Sequence, residues 1–251
     1  MIAAAKVGGI KANMDFPANF ITDNLQIQTN LILNSYNNKI KKLILFGSSC
    51  IYPKDLNKPI KEKQIMTGAL EKTNESYAVA KIAAIQMIKS FNEQYNTKYI
   101  CLMPCNLFGP NDSYDLNNSH FIPALIKKIH IASKKKKNKI VKLWGTGKPL
   151  REVLYVDEVA EACEYFLRIK KNPSLINIGS SVEMSIKDYA NKIKNKIDQS
   201  VLIKFNNNKK LDGVKRKKLD ITLANQNGWR AKMNFSKVLN KTIEDYKNSH
   251  K

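Results

Sequence analysis

The sequence predicts an α/β protein, in which a doubly wound parallel sheet is followed by a smaller α/β domain. In the first 110 residues, segments with helical periodicity alternate with short apolar runs. The apolar runs end in loops of glycine, serine and proline, where parallel sheets carry their functional groups. After residue 110 the elements become shorter. We therefore expect domains over residues 1–110 and 111–251, with some later segments returning to the first sheet.

In the first half, apolar spacing predicts a helix over residues 18–36, beginning after Pro17. Residues 41–46 read as a buried strand that enters a Gly-Ser-Ser loop. Residues 76–95 have the most regular helical spacing in the chain, and residues 99–103 form the next apolar run. The order helix, strand, helix, strand is typical of a parallel sheet.

In the second half, the pattern predicts six further elements with less certain ends. The predicted helices cover residues 120–131, 157–170 and 185–197. The predicted strands cover residues 140–144, 174–178 and 201–205.

The composition indicates a globular protein of the reducing cytoplasm. The chain has 251 residues, of which 43% are hydrophobic. Four cysteines show no paired spacing, and no apolar run reaches the roughly 20 residues that span a membrane. We expect no signal peptide, no membrane association and no metal site.

The formal net charge of +22 could in principle indicate a polyanion-binding protein. However, the lysines are dispersed through the chain, and no nucleic-acid-binding motif accompanies them. We interpret the charge as a bias of composition and expect no specific nucleic-acid partner.

Tyr77 and Lys81 form a Tyr-x-x-x-Lys pair, which places both side chains on one face of the predicted helix. A phenol has an ordinary pKa near 10, and a neighbouring ammonium lowers it. Such a phenol can exchange a proton with the oxygen of a carbonyl or alcohol. Alone, the pair is also common on ordinary amphipathic helices.

The surrounding motifs make the pair more informative. Residues 47–53 (Gly-Ser-Ser-Cys-Ile-Tyr-Pro) precede it, and residues 104–110 (Pro-Cys-Asn-Leu-Phe-Gly-Pro) follow it. In order and spacing these motifs resemble the extended short-chain dehydrogenase/reductase family. The resemblance implies a Rossmann-like domain over residues 1–110 and a mainly substrate-binding domain over residues 111–251. It also implies that Ser48, Tyr77 and Lys81 form a hydride-transfer site.

Further motifs are similar to the GDP-L-fucose synthase family within that group. They are residues 3–10 (Ala-Ala-Ala-Lys-Val-Gly-Gly-Ile), 118–120 (Asn-Ser-His), 144–147 (Trp-Gly-Thr-Gly), 151–152 (Arg-Glu), 212–213 (Asp-Gly) and 216–217 (Arg-Lys). This resemblance implies epimerisation at C3 and C5 and NADPH-dependent reduction at C4 of GDP-4-keto-6-deoxy-D-mannose, giving GDP-L-fucose. It also implies a homodimer in which residues 18–36 and 76–95 form a four-helix bundle with their symmetry mates.

Epimerisation beside a ketone needs a base and an acid, and the resemblance assigns these roles to Cys50 and His120. The alternative for Cys50 is a small buried apolar residue, and for His120 a surface or core position. The resemblance implies NADP(H) contacts at Ser48, Tyr77, Lys81, Pro104, Asn106, Leu107 and His120. It implies contacts with the GDP-sugar substrate at Lys128, Trp144, Arg151 and Lys217. Trp144 could instead be a core aromatic residue and Arg151 part of a surface ion pair.

A Rossmann nucleotide site needs a Gly-rich turn after its first strand, and this sequence contains no Gly-x-x-Gly-x-x-Gly. The match of residues 3–10 places Met1 within the family's fourth strand, so we expect two βα units to be missing. Two other classes of function remain open. One is a related nucleotide-sugar dehydratase or 4-epimerase, which would not require both Cys50 and His120. The other is a non-catalytic fragment or basic binding module.

Overall fold

The computed structural model describes residues 3–54, 56, 58–116, 119–170 and 173–250. Its α-helices are α1 (Ile10–Asp15), α2 (Pro17–Asn37), α3 (Glu75–Tyr95), α4 (Phe121–Ser133), α5 (Val156–Arg168), α6 (Ile186–Ile197), α7 (Thr222–Gln226) and α8 (Phe235–Ser249). Its strands are β1 (Lys42–Phe46), β2 (Lys98–Pro104), β3 (Asn106–Phe108), β4 (Ile140–Leu143), β5 (Leu150–Tyr155), β6 (Leu175–Ile178), β7 (Glu183–Ser185), β8 (Leu202–Phe205) and β9 (Arg216–Lys217).

The first sheet is parallel and has the order β1-β2-β6. Ile44 of β1 lies opposite Ile100 of β2, and Leu102 of β2 lies opposite Ile176 of β6. All four side chains are almost completely buried, as expected for parallel strands with both faces covered. The α/β class and the parallel sheet predicted from the sequence are therefore confirmed.

Helices α2 and α3 pack against each other, and α3 also packs on β2. The buried face of α3 includes Ala84, Ile85 and Ile88, which are the apolar positions of its helical pattern. Gln28 of α2 donates a side-chain hydrogen bond to the carbonyl oxygen of Ala80, which joins the two helices. The two long helices predicted from periodicity thus form one packed pair.

The second half of the chain forms two smaller sheets. Strand β5 pairs with β3, β7 and β9, and β4 pairs with β8. A second cluster of buried side chains packs there, separate from the one around the first sheet, and it includes Phe108, Tyr189, Leu239 and Ile243. The division at residue 110 stays a prediction.

Several elements are absent from the sequence-based prediction. Strand β5 was missed because Arg151 and Glu152 interrupt its apolar pattern, and the last predicted element ends before α7 and α8. The strand expected around Met1 lies outside the described residues. In those residues, no helix is long and apolar enough to cross a membrane.

The carboxylate of Glu152 joins three parts of the chain. Glu152 is completely buried in β5 and accepts hydrogen bonds from the backbone N–H groups of Ser181 (2.7 Å) and Leu219 (2.9 Å). Burial raises the pKa of Glu152, and these two hydrogen bonds oppose the increase. A Cβ atom on Gly179 would lie 2.5 Å from the Glu152 Oε1, so only glycine leaves room for the carboxylate.

Replacing Glu152 by glutamine should lower the free energy of unfolding by about 1–3 kcal/mol, because an NH₂ group would then face a backbone N–H. Urea denaturation followed by circular dichroism measures this change. The control is Glu164→Gln, which removes an exposed ion pair with Arg168 and should cost less than about 0.5 kcal/mol. Equal losses of stability in the two variants would contradict the role given to Glu152.

Candidate active site

The end of β1 positions Ser48 and Cys50. A Cβ atom on Gly47 would lie 2.0 Å from the sulfur of Met103, so a larger residue here would have to displace that buried side chain. Ser48 then caps the single 3₁₀ turn Ser49–Ile51, and its hydroxyl accepts a hydrogen bond from the Cys50 N–H at 3.5 Å. Both side chains therefore lie at the carboxyl end of the parallel sheet, where such folds bind their ligands.

Helix α3 brings Tyr77 and Lys81 to the same end of the sheet. The Lys81 Nζ lies 5.7 Å from the centroid of the Tyr77 ring. The same ammonium donates a hydrogen bond to the carbonyl oxygen of Phe46 at 3.0 Å, and its side chain is almost completely buried. Lys81 thus attaches α3 to the end of β1 and keeps a positive charge beside the phenol.

Burial raises the pKa of Tyr77, and the charge of Cys50 raises it further, while the Ser48 hydroxyl opposes the increase. The sequence argument expected Lys81 to lower this pKa, but burial determines the direction in the structure. The phenol is therefore protonated at neutral pH. A protonated phenol is the form that can donate a proton to a carbonyl oxygen during reduction.

Cys50 is buried beside Tyr77 and Lys81. Burial raises the pKa of its thiol, and Lys217, Ser48 and Lys81 oppose that increase. Burial by itself favours the neutral thiol, and Lys217 and Lys81 are the two charges that favour its ionisation.

His120 is exposed and begins α4 as its N-cap. Burial raises the pKa of Asp112, and the nearby His120 opposes that increase. Within the described part of the chain, His120 makes no hydrogen bond or ion pair with Cys50, Tyr77 or Lys81. Asn118, which belongs to the same sequence motif, lies outside the described residues.

The predicted cofactor contacts Pro104, Asn106 and Leu107 follow one another along the chain at the end of β2. Pro104 is the last residue of β2, and the other two lie in β3 beside β5. The Asn106 side chain donates to the carbonyl oxygen of Glu152 at 3.1 Å. Pro104 therefore ends the strand next to β1, which Ser48 follows, and Asn106 and Leu107 lie just beyond it in β3.

The chemistry of these donors fits the nicotinamide end of a dinucleotide. Lys81 has three N–H donors and uses one of them on Phe46, so two remain for ribose hydroxyl groups. The Tyr77 phenol and the Ser48 hydroxyl lie beside them.

Trp144, one of the predicted substrate contacts, offers a flat exposed surface. Its side chain is 72% exposed, so it is not a core aromatic residue. The Lys128 Nζ lies 5.7 Å from its ring centroid, which is within the range of cation–π attraction. The structure therefore brings together two of the four predicted substrate contacts.

Asp212 holds the turn that follows Trp144. Its carboxylate accepts hydrogen bonds from the Thr146 N–H (2.6 Å) and hydroxyl (2.8 Å). Gly145 and Gly147 on either side both have a φ of 73°, a conformation that favours glycine. The Gly-Thr-Gly motif and the Asp-Gly motif of the sequence thus form one structural unit.

Arg151 and Lys217 lie side by side in the parallel pair β5–β9. Arg151 donates hydrogen bonds to the carbonyl oxygens of Leu150 (2.8 Å) and Val214 (2.7 Å). Burial lowers the pKa of the guanidinium, and Asp212 opposes the decrease. Arg151 is therefore a partly buried cation anchored to backbone and not part of a surface ion pair.

Sequence reasoning missed Glu152, which aligns the strand of Arg151 with the segment after Lys217. A charged residue directly before the apolar run Val153-Leu154-Tyr155 was the available signal. Its partners Ser181 and Leu219 are distant in sequence, so they could not have been identified.

Comparison with known proteins agrees with this arrangement. The sequence pattern of the NAD dependent epimerase/dehydratase family matches residues 1–179. GDP-L-fucose synthase 1 from Arabidopsis thaliana is 42% identical over 246 residues, which cover 98% of this chain and 76% of that protein. GDP-L-fucose synthase from Escherichia coli (strain K12) is 40% identical over 252 residues, covering 97% of this chain and 78% of that protein.

A solved structure has the same fold. The GDP-mannoheptose C4 reductase MlghC from Campylobacter jejuni, with NADP bound, superposes with a TM-score of 0.86. It is 33% identical and covers 98% of this chain and 80% of that one. Because the family pattern covers most of the chain and these relatives match nearly all of it, the chain belongs to the NAD dependent epimerase/dehydratase family.

Proposed function

We propose that this chain epimerises GDP-4-keto-6-deoxy-D-mannose at C3 and C5 and reduces it at C4 with NADPH, forming GDP-L-fucose. The observation that carries the proposal is the meeting of Tyr77, Lys81 and Cys50 at the end of β1. One site thereby contains a phenol that can donate a proton to a ketone oxygen and a thiol that can remove a proton from carbon. The names of the relatives support the choice of GDP sugar.

For the reduction, the Tyr77 phenol donates its proton to the C4 oxygen. Lys81 stabilises the resulting phenolate, and the Ser48 hydroxyl donates a hydrogen bond to the substrate oxygen. Bound NADPH supplies the hydride. It would contact Ser48, Tyr77 and Lys81 at its nicotinamide end, with the other predicted contacts at Pro104, Asn106, Leu107 and His120.

For the epimerisation, the C4 ketone acidifies the C–H bonds at C3 and C5. The Cys50 thiolate takes one of these protons, the C–H bond breaks, and its electron pair forms the enolate on the C4 oxygen. The His120 imidazolium returns a proton to the opposite face of the carbon.

For substrate binding, Trp144 covers an apolar face of the nucleotide sugar. The Lys128 ammonium lies over the ring of Trp144. Arg151 and Lys217 form the cationic side that binds the diphosphate. All four cysteines are unpaired and buried, and we propose that the protein works in the reducing cytoplasm.

Tyr77→Phe should lower the rate of substrate-dependent NADPH oxidation by about 10²–10⁴-fold, because only the proton donor is lost. Binding of GDP, measured by calorimetry, should be unchanged. Tyr95→Phe makes the same change at an exposed position of α3 and serves as the control. Tyr77→Phe activity equal to that of the control would exclude the proposed donor.

Cys50→Ser and His120→Asn should each reduce deuterium uptake at C3 and C5 when the keto sugar is incubated in D₂O without NADPH. The expected loss is about 10²-fold or more for removal of an acid or base. NMR of the recovered sugar measures it. Cys163→Ala and His250→Asn, which lie on α5 and just after α8, serve as controls. Undiminished uptake in both site variants would remove these residues from the mechanism.

We also propose a homodimer through α2 and α3. Leu33 and Val79 expose apolar side chains on these helices, by 41% and 42%, and a two-fold axis can bury such a patch against its own copy. Replacing both by glutamate should convert the dimer to a monomer, because like charges would meet at the interface. Light scattering at micromolar concentration measures the mass, and Ile131→Glu on α4 is the control. A monomeric unaltered protein would contradict the proposal.

A further inference from the structure

Lys217 and Cys50 line the same small cleft. Glu71 and Arg216 also line it. Arg216 pairs with Glu183 through its Nε at 2.9 and 3.0 Å. Lys217, the next residue of β9, lies opposite Arg151 of β5.

Hydrogen bonds hold this strand on both sides of Lys217. The Leu150 N–H donates to the carbonyl oxygen of Lys215 at 2.8 Å, and the Ile60 N–H donates to that of Lys218 at 2.9 Å. The Leu219 N–H donates to the buried Glu152 carboxylate. A backbone held by these hydrogen bonds thus positions Lys217 at the cleft.

We propose that Lys217 is a positioning residue for Cys50: its ammonium stabilises the thiolate that takes the carbon-bound proton, in addition to its predicted contact with the diphosphate. The inference rests on the proposed function, which gives Cys50 its role as base. An ammonium beside a thiol favours the anion, and a thiolate favours the ammonium.

The charged and polar groups that face Cys50 support this role for Lys217. Lys217 from β9 has the largest charge effect on the Cys50 pKa, larger than that of Lys81 from α3. Ser48 acts from the same turn, and Tyr77 interacts with Cys50 from α3.

The groups around Lys217 also shift its pKa, in both directions. Its pKa is lowered by burial and by Arg151, whereas Cys50 and Glu71 raise it. Cys50 and Lys217 therefore each favour the charged form of the other.

The test is the rate at which iodoacetamide alkylates Cys50 in the absence of substrate, between about pH 5 and pH 10. Mass spectrometry of the peptide that contains Cys50 separates it from the other three cysteines. In Lys217→Met, the midpoint of the pH profile should move upward by about one unit, so that the rate near pH 7 falls about tenfold. Lys217→Arg should keep a profile close to that of the unaltered chain.

Superimposable profiles for Lys217→Met and the unaltered chain would overturn the proposal. An equal fall in rate for Lys217→Met and Lys217→Arg would also overturn it, since that result indicates altered access to the thiol and not the loss of a positive charge. Lys217→Gln provides a second neutral variant if the methionine variant does not fold. Because the profile needs no turnover, its outcome is independent of whether the chain epimerises the GDP sugar.

Discussion

The buried carboxylate of Glu152 is the constraint on which the substrate side of the site depends. A carboxylate removed from water is costly unless strong donors satisfy it. Here two backbone N–H groups do so, one after β6 and one after β9. The hydrogen bonds align β9 beside β5, and this alignment places Lys217 next to Arg151.

The reducing side of the site depends on a different contact. Lys81 donates to the carbonyl oxygen of Phe46, which attaches α3 to the end of β1, just before Ser48. Tyr77 lies on the same face of that helix, so its phenol and the strand-end hydroxyl are brought together. Cys50 lies between the two sides, within the electrostatic reach of Lys81 and Lys217. One thiol therefore connects the proposed reduction and epimerisation chemistries.

The sequence predicted the proposed reducing side, with Tyr77 and Lys81, better than the substrate side, with Arg151 and Lys217. Tyr77 and Lys81 are four residues apart on one helix, so their proximity follows from helical geometry alone. Arg151 and Lys217 are far apart in sequence, and only the pairing of β5 with β9 brings them together. The direction of the Tyr77 pKa was also missed, because it depends on burial by residues distant in sequence.

The most direct measurement is the isotopic composition of the product formed from GDP-4-keto-6-deoxy-D-mannose and NADPH in D₂O. A site that combines proton exchange by Cys50 and His120 with reduction at C4 predicts GDP-L-fucose carrying deuterium at both C3 and C5. The hydrogen at C4 would come from NADPH and remain unlabelled. A C4-reduced sugar with the D-manno configuration and no deuterium at C3 or C5 would show reduction without epimerisation and contradict the account.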